Sequence, residues 1–91
     1  MFLYTIILEF RGGTYISQVR AISEKTAVDQ WAQSLDEKVS EVALADRKKL
    51  SAEFEIEDPV PLNGTTNAWC TSSLVNNDLA LLNIIKTDDS E

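Results

Sequence analysis

FLYTIILEFRGGTYISQVRA, residues 2–21, decides the fold of this 91-residue chain. Phe2 to Phe10 is rich in aromatic and β-branched residues, which suit a pleated, half-buried surface. From Thr14 to Ala21, the residues Tyr15, Ser17, Val19 and Ala21 alternate with Ile16, Gln18 and Arg20, the period of two expected of a strand. Gly12 and Gly13 lie between the two runs. Two glycines at the centre of a two-residue loop tolerate the positive φ values of a tight hairpin turn. The stretch therefore reads as a β-hairpin.

Helix follows at once. Ser23 can cap the first turn, and Glu24 is well placed near the positive end of the helix dipole. Ala27, Val28, Trp31, Ala32 and Leu35 recur at the spacing of one helical face, which makes Trp31 a core anchor. Val39 to Ala52 predicts a second, weaker helix with Val39, Val42, Ala43 and Leu50 as its apolar residues. The run from Glu53 to Glu57 alternates Phe54 and Ile56 against carboxylates and predicts a short strand with one acidic face, a frayed helix end being the alternative. Pro59 and Pro61 stop what precedes them, and Asn63-Gly64-Thr65 reads as a turn.

Ala68 to Val75 and Leu79 to Thr87 form a second hairpin, joined by Asn76-Asn77-Asp78. Its last strand is apolar on both faces apart from Asn83, which predicts a central place in the sheet. The expected order is β-β-α-(α)-(β)-β-β. This is an α+β fold, an antiparallel sheet of two hairpins with helices on one face. Residues 1–87 are expected to form one domain and 88–91 a short acidic tail.

Composition narrows the function. Cys70 is the lone cysteine, so no internal disulfide forms and the cytoplasm is the expected compartment. The apolar start reaches Glu9 and Arg11 too soon to span a bilayer, and no membrane role is expected. With no histidine, neither a histidine-based nucleophile nor a histidine-ligated metal can be built. One cysteine excludes thiolate zinc sites within one chain, and no glycine-rich phosphate loop is present. No catalytic residue, metal or cofactor is expected, and the chain reads as a non-enzyme. Trp69-Cys70-Thr71-Ser72-Ser73 gathers a thiol and three hydroxyls but no base. Alternation places Cys70 with Ser72 on one face and Trp69 with Thr71 and Ser73 on the other.

A net charge of −7 repels nucleic acid and favours encounter with a basic protein. Arg47-Lys48-Lys49 is read as a solvated helix face. Asp29, Asp36, Glu37 and Glu41 lie along and just after the first helix, and Glu53, Glu55, Glu57 and Asp58 follow the second. Together with Trp69 these form the expected docking patch for a basic partner, against the plainer reading of acids scattered for solubility. Self-association through a strand edge or the Trp69 face is the alternative, and a small-ligand site between sheet and helix a third.

The stretch Gly12 to Ala21, then Ser23 and Ala27-Val28-Asp29-Gln30-Trp31-Ala32, resembles small bacterial proteins in which a glycine-turned hairpin leads into a tryptophan-bearing helix. Short acidic chains of this kind look like bacterial immunity proteins, and the opening is similar to HicB-type antitoxins. That resemblance implies an inhibitor that binds a cognate toxin. It covers about a third of the chain and carries no binding residue over.

Overall fold

The protein was analysed as a computed structural model, which describes residues 1–35, 39 and 41–88, with Asp88 described by its backbone alone. Its elements are β1 (Phe2–Phe10), β2 (Gly13–Ala21), α1 (Glu24–Gln33), α2 (Leu44–Ile56), β3 (Val60–Pro61), β4 (Ala68–Val75) and β5 (Asp78–Asp88). The five strands form one antiparallel sheet in the order β2-β1-β5-β4-β3, with both helices on one side. The α+β reading holds, and β5 is the central strand as its two apolar faces required.

Both hairpins turn on two residues. Arg11 and Gly12 have φ values of 50° and 78°, and Asn76 and Asn77 have 54° and 68°. Positive φ at both central positions matches the right-handed twist of the flanking strands. The first turn thus lies one residue earlier than expected. Gly13 already pairs with Phe10, and a Cβ there would sit 2.5 Å from the Tyr15 hydroxyl oxygen. The second glycine leaves room for a ring. Asp78 likewise belongs to β5, paired with Val75.

Ser23 caps α1, its Oγ accepting from the Thr26 N–H at 3.2 Å. Ala27, Val28, Trp31, Ala32 and Leu35 are all buried. The region after it differs from expectation. Residues 53–56 continue α2, and the short extra strand is Val60–Pro61. Asp46, Leu50 and Phe54 recur four apart and all face inward, whereas Ile56 stands 75% exposed. Phe54 meets the Trp31 ring edge-on at 5.7 Å, a contact that the helical spacing allows. The alternation of Phe54 with Ile56 is therefore a coincidence of five residues.

The first turn of α2 is tied to both hairpin turns. The Asp46 carboxylate accepts from Arg11 Nη1 at 2.5 Å and from Asn76 Nδ2 at 2.9 Å, and Arg11 Nε donates to Asp78 at 2.7 Å. These bonds raise the Arg11 pKa, the hydrogen bond to Asp78 foremost. Lys49 adds a bond to Asn76. One end of the sheet is thereby fixed against the helical layer.

Candidate functional site

Strand pairing sorts every side chain to one of two faces. Tyr4, Ile6, Leu8 and Phe10 of β1 share the helical side with Val19, Ala80, Leu82 and Ile84, and all are buried. The opposite side has no element packed on it among the described residues. One row crosses all five strands there, from Ile16 through Ile7, Asn83 and Cys70 to Val60. Exposure along this open face is high for its residue types: Ile16 and Leu74 are 64% exposed, Leu79 and Val60 59%, and Ile85 39%. Exposed apolar surface gathered on one face marks interaction sites. A short polar ladder, Gln18 to Thr5 to Thr87, interrupts it. Cys70 and Ser72 lie on the open face, while Trp69, Thr71 and Ser73 lie on the helical one, as alternation predicts.

The acidic residues distribute differently. Ten of the fifteen acids and five of the eight bases fall between residues 22 and 58, in the helices and their connections. Lys25 gathers several of the predicted docking residues. Its Nζ donates to the Glu55 and Glu57 carbonyl oxygens at 2.8 and 2.9 Å and pairs with Asp29 at 3.1 Å. A cation there also suits the negative C-terminal end of α2. Asp29, Glu55, Glu57 and the following Asp58 therefore share one end of the helical layer. Glu53 is turned toward the sheet, where Ser73 Oγ donates to it at 2.9 Å. Glu41 lies apart, at a hollow of about 200 Å³ that also touches Arg11 and Asp46. Asp36 and Glu37 fall outside the described residues.

One expectation is corrected. The three glutamates from Glu53 to Glu57 do not line the acidic face of a strand, because Glu53 and Glu55 are helical and Glu57 caps the helix. The edges of the sheet are β2, nine residues long, and β3, two residues long and bounded by Pro59. Trp69 is half-buried on the helical side, 6.1 Å from the Tyr4 ring.

Chemical machinery is sparse. Among the described residues no three His, Cys, Asp or Glu side chains are grouped to hold a metal, and no helix is long and apolar enough to cross a membrane. A hollow of about 300 Å³ is lined by the Arg11-Gly12 turn with Glu9, Leu79 and Leu81. That is at the lower limit of about 300–1,000 Å³ for small-molecule sites. The open face was the feature sequence reasoning passed over. Its signal was present in β1 and β5, which are apolar on both sides and so carry more apolar surface than one helical layer covers. No family model, curated protein or solved structure matches this chain.

Proposed function

We propose that this chain is a non-enzymatic protein-binding domain and that the open face of its sheet is the docking surface. The observation that carries this reading is the exposure of Ile16, Leu74, Leu79, Val60 and Ile85 on one sheet face that no described element covers. An apolar surface of this kind gains about 25 cal/mol for each Å² removed from water, so its use is to be covered. The lack of a histidine and the shallow hollows support a binding role over catalysis. A cytoplasmic location is part of the proposal, supported by the lone Cys70.

A second reading places a basic protein on the acidic end formed by Asp29, Glu55, Glu57 and Asp58, in the manner of an immunity or antitoxin protein. It is favoured by the way Lys25 draws those residues together. Photo-crosslinking in the source cells separates the two. A benzophenone side chain at Ile16 or Ile85 is expected to give protein adducts, self-adducts included, whereas one at Ala52 on the helical side is not. Adducts from Ala52 alone overturn the open-face reading in favour of the acidic one.

A further inference from the structure

We infer that the occupant of the open face is a second copy of this chain, the two sheets packing face to face about a two-fold axis. The inference rests on the open-face reading above and adds the identity of the partner.

Charge is the first argument. Each chain carries −7, so two copies repel through most of their surfaces. Among the side chains described on the open face, Glu9 and Arg20 carry the only charges, one of each sign. The open face is thus where two copies bring the fewest described charges together. A closed two-fold contact also demands self-complementarity, since each patch must fit itself.

The strand register meets that demand. Glu9 pairs with Thr14 on one side of the face, and Arg20 pairs with Leu3 three rows away. A two-fold axis running across the strands, between the Ile7 row and the Thr5 row, reverses the strand direction in the second copy. Glu9 of one protomer then lies over Leu3 of the other, one strand from Arg20, and this approach of opposite charges occurs twice. Ile85 and Cys70 fall near the axis, where water is excluded first.

Area is the third argument. Four strands of eight to eleven residues and a two-residue fifth, about 4.8 Å apart and about 3.3 Å per residue, make a face of roughly 20 by 30 Å. Its corrugated side chains bury more than this plan area of about 600 Å², close to the roughly 800 Å² that each member of a stable pair contributes. Antiparallel sheets pack in this way, with strands within about 30° of alignment and some 10 Å between layers.

Sedimentation velocity of the purified chain, from about 1 µM to about 1 mM, tests the inference. A monomer–dimer equilibrium is expected. Ile85→Lys, which buries a charge near the axis, is expected to weaken it at least tenfold. Glu9→Arg and Arg20→Glu are each expected to weaken it several-fold, and the double variant to recover most of the loss. Circular dichroism verifies that each variant is folded, and the charge-swap variants stand as the test should Ile85→Lys not fold. A chain that stays monomeric throughout overturns self-pairing. So does a dimer indifferent to all these changes, which would be joined elsewhere, as along the long β2 edge. In either case adducts from Ile16 or Ile85 in cells would then lie on a different protein, and the broader binding reading would stand. Absence of both dimer and adducts removes both.

Discussion

The two faces of one sheet share the same five strands and the same backbone ladder, yet they solve different problems. On the helical side, Ile6, Leu8, Leu82 and Ile84 are fully buried beneath α1 and α2, and Trp31 and Phe54 close over them. On the other side, Ile7, Ile16 and Ile85 have similar chemistry and no cover. Ile6 and Ile7 are neighbours in sequence and differ only in the direction they point. Residue type therefore says little about what a position contributes; the layer it faces decides that. The charges follow the same division, gathered in and around the helices and reduced to Glu9 and Arg20 among the side chains described on the open face.

The contrast can be broken most severely at the helical side. Trp31→Ala removes the largest fully buried side chain, and a loss of about 3–5 kcal/mol is expected in urea unfolding. That is a large share of the roughly 5–13 kcal/mol available to a chain of this length. Ile6→Ala is expected to cost about 2–5 kcal/mol by the same measurement. A loss under about 1 kcal/mol at either position would mean that the helical layer does not seal the sheet as described.

Gly13→Ala sharpens the account of how that side is built. The added methyl meets the Tyr15 ring, and a cost of about 1–3 kcal/mol is expected from the forced shift. Pairing the change with Tyr15→Ala is expected to reduce that cost, which a turn-strain explanation does not predict. Ser23→Ala removes the cap of the covering helix and is expected to cost about 1 kcal/mol. The smallest effect belongs to the open side. Ile16→Thr keeps the branched side chain and is expected to stay within about 0.5 kcal/mol in dilute solution. A cost comparable to that of Ile6→Ala would erase the distinction between the faces.

Much of this was legible in the sequence because the signals were long and redundant. The first hairpin combined nine apolar-rich residues, an alternating partner strand and a glycine turn, and Ser23 with the Ala27–Trp31 spacing marked the helix. The middle failed where signals were short. Five residues from Glu53 to Glu57 fit a period of two, but the longer spacing of Asp46, Leu50 and Phe54 prevails because Phe54 has Trp31 to pack against. That contact joins residues distant in sequence, which no local window contains. The acidic site was legible only in part for the same reason. Spacing along the chain cannot reveal that Lys25 links Asp29 to the end of α2, or that Ser73 holds Glu53 toward the sheet. The open face could have been found by asking what covers the second side of β1 and β5.

Cys70 offers the most direct measurement, since the only thiol of the chain lies on the open face in the row that crosses all five strands. Its alkylation by a maleimide can be followed over a wide range of protein concentration under native conditions. Covering of the open face predicts a labelling rate constant that falls as concentration rises, and Ile85→Lys should abolish that fall. A rate constant independent of concentration up to about 1 mM would show that the face stays open to water in the purified protein, and would contradict its pairing with a second copy.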